Sequence, residues 1–206
     1  MRRLIALAAG VALLAGCGGN PDPVNNVTSC DVEASDPARA KEVTPLDAGK
    51  PYTIRFETTH GNFTIEMNAE RSPCNSGSMM QLAKDGFYNG ITVHRIVPDF
   101  VVQAGNSSKT ADGGPGYTTV DPPLPETQYK KGDVAMAKAT TEPPGTGGSE
   151  FFIVTGSELP LPPDFAPVGR VVEGMDVVEK IGKLGNVETQ QPTEKIVIER
   201  AQTSGI

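Results

Sequence analysis

The chain is 206 residues long and 37% hydrophobic, with 25 acidic residues against 18 basic ones and a formal net charge of −7. That length provides for one domain with a sizeable hydrophobic core. An acidic chain without a cluster of lysines and arginines does not hold a phosphate backbone through counterion release, so nucleic acid is excluded as a partner.

Residues 1–16 have the organisation of a bacterial export signal. Arg2 and Arg3 precede an almost wholly apolar run over 4–14. The run is about half the ~20 residues that a membrane-spanning helix needs, which predicts a cleaved signal peptide. It ends in Leu-Ala-Gly-Cys at 14–17, which resembles a lipobox, so we expect lipidation of Cys17 and stable anchoring through two acyl chains. The alternative is an ordinary signal peptide followed by a chance cysteine.

The next segment, residues 17–50, predicts a flexible, lipid-anchored stalk. It is rich in Gly, Pro, Asn, Asp, Ser and Ala and shows no apolar period. The folded domain is then expected over 51–206. With Cys17 lipidated, Cys30 and Cys74 remain, and two thiols in an oxidising compartment predict a disulfide that ties the stalk to the domain. Two free thiols are the alternative.

The domain begins with patterns typical of a β-hairpin and a helix. Apolar and polar residues alternate over 52–57 and again over 63–67, on either side of a turn at 59–62. Ser72 and Pro73 are typical of a helix start, with Ser72 able to cap the helix. Gly86 is expected to end it.

The pattern of the remaining residues predicts short strands separated by turns. We predict strand segments within 91–102, an irregular functional loop over 106–131, strands at 134–139 and 151–155, a proline-rich loop over 158–167, a strand at 168–172, a helix at 175–181 and a closing strand at 196–199. Short strands with two short helices favour a closed antiparallel barrel, although patterning alone does not separate a barrel from a sandwich.

The block at 87–106, FYNGITVHRIVPDFVVQAGN, strongly resembles the cyclophilin signature G-F-Y-x-G-x-x-F-H-R-x-x-x-x-F-x-x-Q-G-G-D. Further matching blocks follow in the family's order: GGPGY at 113–117, VAMA at 134–137, GGSEFFI at 147–153 and GRVVEGMDVV at 169–178. The resemblance covers roughly 52–199. The regions of Cys30 and Cys74 also resemble those of actinobacterial lipoprotein members.

The resemblance implies an all-β fold, a closed eight-stranded antiparallel cyclophilin-like barrel with two short capping helices. It also implies peptidyl-prolyl cis-trans isomerase activity without cofactor or metal. Arg95 would be the catalytic residue. The residues that would contact the substrate are His94, Phe100, Val101, Gln103, Ala137, Lys138, Glu150, Phe152, Leu161 and Phe165. The partners expected are proline-containing unfolded or nascent secreted proteins, and the membrane through the lipid anchor, with the protein a monomer outside the cytoplasm.

Four positions depart from the usual family pattern: Glu150, Lys138, the loop at 159–165, and Val168 where a pocket phenylalanine is usual. Glu150 replaces a glutamine and adds a negative charge near Arg95, so a direct pair would hold or partly divert the guanidinium. Lys138 replaces an asparagine and is expected to offer backbone contacts. The chain contains no tryptophan, which predicts weak cyclosporin binding. The rival function is a proline-segment binding module or chaperone with little isomerase activity, and a purely structural lipoprotein is a third.

Overall fold

The computed structural model describes residues 27–107 and 113–206, so the predicted signal peptide and Cys17 lie outside the described residues. The helices in these ranges are α1 (Pro73–Lys84) and α2 (Met175–Gly182). The strands are β1 (Val32–Ala34), β2 (Thr53–Thr58), β3 (Gly61–Met67), β4 (Arg95–Val97), β5 (Val101–Ala104), β6 (Tyr117–Val120), β7 (Tyr129–Lys130), β8 (Asp133–Met136), β9 (Thr146–Gly147), β10 (Phe151–Val154), β11 (Glu158–Leu159), β12 (Pro167–Glu173) and β13 (Ile198–Ser204). The predicted irregular loop over 106–131 therefore contains both β6 and β7.

The main sheet has eight antiparallel strands in the order β13-β2-β3-β12-β8-β10-β5-β4. It curves through 214° as an open half-barrel, so the prediction of a closed barrel is wrong. The edge strands β13 and β4 form no ladder with each other, and an isolated bridge between Thr92 and Val197 lies just before them. The N–H of Ile96 in β4 donates instead to the carbonyl oxygen of Gln190 at 2.8 Å. A loop therefore occupies the edge that closure would require.

The concave side of the sheet and the two helices enclose the main core. Phe56 lies at its centre and its ring is 5.3 Å from that of Phe63, 5.5 Å from Phe151 and 5.8 Å from Tyr88. Each large apolar side chain buried there contributes about 1.5–3 kcal/mol relative to exposure. Because side chains alternate along a strand, the neighbours of these core residues in β5, β8 and β10 point to the other face.

The N–H groups at the start of helix α1 donate hydrogen bonds to a distant residue. The Asp121 carboxylate accepts from the backbone N–H of Asn75 at 2.6 Å and of Cys74 at 3.4 Å. Ser72, the cap that we predicted, makes no side-chain capping bond. The helix ends as expected, since Gly86 follows it with a left-handed φ of +74°. Burial raises the pKa of Asp121, and the hydrogen bonds from Asn75 and Cys74 oppose that rise.

The described part of the predicted stalk packs against the domain. Strand β1 pairs with β6, and the side chains of Val43 and Leu46 are only 2% and 8% exposed. A disulfide joins Cys30 to Cys74 at the start of α1. From about residue 28, the chain therefore departs from the flexible stalk predicted for 17–50. Single buried residues, Val43 and Leu46, provide this packing and follow no periodic pattern. The composition of the segment therefore did not reveal it.

Neither helix in the described ranges combines the length and apolar character that crossing a bilayer requires. Within the same ranges, the structure contains no group of three or more His, Cys, Asp or Glu side chains arranged to hold a metal ion.

Candidate active site

A second apolar cluster covers the outer face of β5, β8 and β10. Its buried members are Val101, Tyr129, Ala135, Phe152 and Val154, with half-buried Val97, Phe100, Ala137, Leu159, Leu161 and Phe165 packed against them. Six residues predicted to form the substrate pocket lie in this one cluster: Phe100, Val101, Ala137, Phe152, Leu161 and Phe165. The alternation of inward and outward side chains places them on the face opposite the core.

Tyr129 shapes the pocket and was missed by the sequence analysis. Its hydroxyl donates to the carbonyl oxygen of Phe165 at 2.7 Å and accepts from the N–H of the same residue at 3.0 Å. The Phe165 ring is thereby held nearly perpendicular to Phe152, at 89° and 5.3 Å between centroids. The only signal in the sequence is an isolated aromatic residue in a polar stretch, which points to no particular role.

A chain of hydrogen bonds borders the apolar cluster. Strand pairing places Arg95 opposite Gln103, and Gln103 opposite Phe152. Arg95 Nη1 donates to Gln103 Oε1 at 3.2 Å, and Gln103 Nε2 donates to Glu150 Oε2 at 2.9 Å. The other Glu150 oxygen accepts from Asn106 Nδ2 at 2.6 Å. Asn106 is a further member that the sequence analysis did not assign to the site.

This chain of hydrogen bonds determines how Glu150 acts on the Arg95 guanidinium. Gln103 lies between the two charged groups, and among the described contacts Glu150 makes no ion pair with Arg95. A carboxylate can only accept hydrogen bonds, so the amide nitrogen of Gln103 faces Glu150 and its amide oxygen faces Arg95. Glu150 therefore orients the residue that holds the guanidinium. The direct pair considered for this position does not form.

The side chain of Lys138 is almost completely buried and forms an ion pair. The ammonium lies 2.8 Å from the Asp164 carboxylate, its side chain is 3% exposed, and it donates to the Glu142 carbonyl oxygen at 3.0 Å. It also lies 5.9 Å from the centre of the Phe165 ring. The side chain thus ties the turn after β8 to the loop that carries Leu161 and Phe165. Its backbone contact to a substrate stays a prediction.

His94 lies beside this chain of hydrogen bonds, with its Nε2 3.6 Å from Glu150 Oε2. Its Nδ1 is buried and has no hydrogen-bond partner in the part of the chain that the structure describes. Burial lowers the pKa of His94; the Glu150 carboxylate raises it, and the Arg95 guanidinium lowers it again. The net shift is downward, so the ring is neutral at neutral pH and cannot serve as a cationic partner there.

We expect His94 to titrate below its ordinary pKa of 6.5, and Glu150→Gln to lower that pKa further because the carboxylate raises it. The unfolded chain protonates the ring at higher pH than the folded protein does. His94 therefore contributes stability that is complete above about pH 6.5 and declines as the pH falls toward the folded-state pKa. NMR titration of the ring C–H signals measures this, with just two histidines to assign. A His94 pKa above 6.5 in the unmutated protein would contradict the expectation.

The arrangement combines an apolar pocket with a fixed cationic donor, and it suits a reaction in which no bond is broken. The described residues of the pocket include no nucleophile paired with a base, as acyl transfer would require. An arginine side chain such as that of Arg95 presents several donors in a rigid plane. Such a group stabilises a lone pair that develops next to an apolar ring.

Comparison with known proteins gives one family. The family described as cyclophilin type peptidyl-prolyl cis-trans isomerase/CLD matches residues 53–203. A peptidyl-prolyl cis-trans isomerase of Arabidopsis thaliana is 33% identical over 75% of this chain and 94% of its own length. One from Helicobacter pylori is 31% identical, over 74% and 93%. The crystal structure of a Cryptosporidium parvum cyclophilin-type isomerase has a TM-score of 0.67 at 24% identity, covering 76% of this chain and 99% of its own.

Proposed function

The chain belongs to the cyclophilin-type peptidyl-prolyl cis-trans isomerase family, and from that membership we propose that it accelerates X–Pro isomerisation in extracytoplasmic proteins and assists their folding. The protein is a peptidyl-prolyl cis-trans isomerase of the cyclophilin type. Arg95 is proposed as its catalytic residue, and the apolar cluster around Phe152 as the site of the proline ring.

One observation carries the assignment of the site. The guanidinium of Arg95 and the Phe152 pocket are brought together by the pairing of β4, β5 and β10, with Gln103 between them. An X–Pro substrate needs both parts, an apolar surface for the ring and a donor beside the prolyl nitrogen. A Cryptosporidium parvum protein of the same fold has been crystallised in the presence of the dipeptide Ala-Pro.

The proposed chemistry is selective stabilisation of the twisted amide. Resonance across the peptide bond sets a barrier of ~18–20 kcal/mol, and X–Pro bonds isomerise unaided in tens to hundreds of seconds. As the bond twists, the prolyl nitrogen becomes pyramidal and gains a lone pair. A donor from Arg95 strengthens only at that stage, so it lowers the barrier without binding the planar substrate more tightly.

The test is the isomerisation rate of a short X–Pro peptide with a soluble version of the protein that begins at Gly18. We expect strong acceleration, and faster refolding of a denatured secreted protein whose slow step is proline isomerisation. Binding of the peptide without acceleration would overturn the assignment and favour the proline-segment binding module.

The extracytoplasmic role is proposed from the N-terminus and the cysteines. The lipobox-like residues at 14–17 support anchoring through Cys17, and the regions around Cys30 and Cys74 support a place among actinobacterial lipoprotein members. The clients would be proline-containing unfolded or nascent secreted proteins, met by a monomer at the outer face of the membrane. An acidic chain favours clients that are not themselves strongly acidic.

We expect Cys17→Ser to abolish membrane attachment in the expressing cell. The thiol is the proposed site of the diacylglycerol, and serine offers no thioether. The measurement is the fraction of protein that sediments with membranes, together with incorporation of labelled fatty acid into the full chain. Cys30→Ser is the matched control and should keep both signals. Label retained by Cys17→Ser would show that the anchor lies elsewhere.

A further inference from the structure

Gln190 contacts the Arg95 guanidinium from a second direction. Its Oε1 accepts a hydrogen bond from Arg95 Nε at 2.9 Å, while Gln103 Oε1 accepts from Nη1 at 3.2 Å. Two of the three guanidinium nitrogens are therefore held by neutral amide oxygens. The third, Nη2, makes no hydrogen bond to a described residue and remains available as a donor.

The backbone of the same residue holds the strand that carries Arg95. The Gln190 carbonyl oxygen accepts from the N–H of Ile96, the residue that follows Arg95 in β4. Ile96 also packs against Gly185 at the base of this loop, where an added Cβ would lie 2.6 Å from its carbonyl oxygen. Gln190 thus holds both strand β4 and the Arg95 side chain that projects from it.

The conformation of Gln190 is unusual for a residue with a side chain. Its φ is +58°, in the left-handed region that glycine occupies without strain. The loop imposes this conformation, because Gln190 N donates to the Asn186 carbonyl oxygen at 2.8 Å and Asn186 N donates to that of Gln191 at 2.9 Å. A strained position that keeps a side chain invites a functional explanation. In the described part of the chain, the hydrogen bond to Arg95 is the one made by this carboxamide.

We propose that Gln190 is a positioning residue, which holds the Arg95 guanidinium in the plane from which it donates to the prolyl nitrogen. The proposal rests on the proposed catalytic role of Arg95. A donor that is already aligned needs no reorganisation when the amide twists. A neutral acceptor suits this task because it orients the guanidinium without neutralising its charge, whereas a carboxylate would compete with the developing lone pair.

The test compares Gln190→Met and Gln190→Gly in the full domain. Methionine keeps the length of the side chain without an oxygen acceptor, and glycine removes the side chain while fitting the left-handed backbone. Both are expected to lower kcat about tenfold, the scale of one hydrogen bond to a charged group, with KM nearly unchanged. Gln191→Met is the matched control, since this neighbouring glutamine is exposed. Values of kcat within twofold of the unmutated protein for both variants would overturn the proposal.

An NMR measurement separates positioning from general stability. The Nε–Hε signal of Arg95, assigned by its loss in Arg95→Lys, is expected to be protected from solvent exchange and to lose that protection in both Gln190 variants. Gln190→Glu restores an acceptor and should restore the protection, with kcat still reduced because the carboxylate offsets the charge. Unchanged protection in Gln190→Met would overturn the proposal. This signal does not depend on turnover, so an inactive unmutated protein would refute the proposed function while the signal still decides the role of Gln190.

Discussion

Arg95→Ala is expected to lower kcat/KM for X–Pro isomerisation by about 100-fold or more, the usual effect of removing a preorganised donor from a transition state. The loss should fall on kcat, because the guanidinium is proposed to stabilise the twisted amide and the apolar cluster around Phe152, the proposed site of the proline ring, is left intact. The measurement is the rate of isomerisation of a short X–Pro peptide over a range of substrate concentrations.

Two further variants test whether the loss of activity comes from the guanidinium itself. Arg95→Lys keeps the charge but not the planar fork. A lysine cannot donate to Gln103 and Gln190 in the same geometry, so we expect most of the loss of activity to remain. Arg71→Ala removes an exposed arginine in the turn before α1 and should leave the rate unchanged. An Arg95→Ala enzyme within threefold of the unmutated protein would show that Arg95 is not the catalytic donor.

Loss of the disulfide between Cys30 and Cys74 is expected to lower the free energy of unfolding by about 2–4 kcal/mol. The bond closes a loop between positions 44 residues apart, and it restricts the unfolded chain far more than the folded one. Cys30→Ser, Cys74→Ser and the double variant should all lose the same amount, since each removes the whole bond. Denaturant unfolding of the soluble domain measures the loss.

The unmutated protein in reductant serves as the control for these serine variants. Reductant should lower its stability to that of the double variant, and should leave the double variant itself unchanged. Hydrogen exchange should also become faster in β1, because the disulfide two residues before it would no longer hold the chain in place. An unfolding midpoint that responds neither to the substitutions nor to reductant would contradict the prediction.

Sequence patterns predicted the components of the fold better than its closure. The alternation over 52–57 and 63–67 was enough for the β2–β3 hairpin, and the cyclophilin-like blocks implied eight antiparallel strands. Closure depends on which group accepts from the N–H of Ile96. That group is a loop carbonyl, at Gln190, almost a hundred positions further along the chain. No local pattern reports such a partner.

In the candidate site, too, some residues were predictable from the sequence and others were not. The residues around Arg95 and Phe152 were predictable because the family's blocks fix their strand positions, and strand pairing then brings them together. Gln190 and Tyr129 were not, because each acts through a hydrogen bond made by a loop or a short strand without a motif. Asp121 likewise replaced the predicted cap Ser72, since a cap from a distant loop residue leaves no trace near the helix start.

Under the proposed lipidation of Cys17, the packing of residues 28–50 would limit how far the domain can lie from a membrane. A free stalk over 17–50 would let the domain wander about 115 Å from its anchor when fully extended. With the chain fastened at Cys30, the 13 residue steps from Cys17 could span at most about 45 Å when fully extended. Under the proposed anchoring, an enzyme held this close would sample the layer next to the lipid surface and meet chains as they emerge from the membrane.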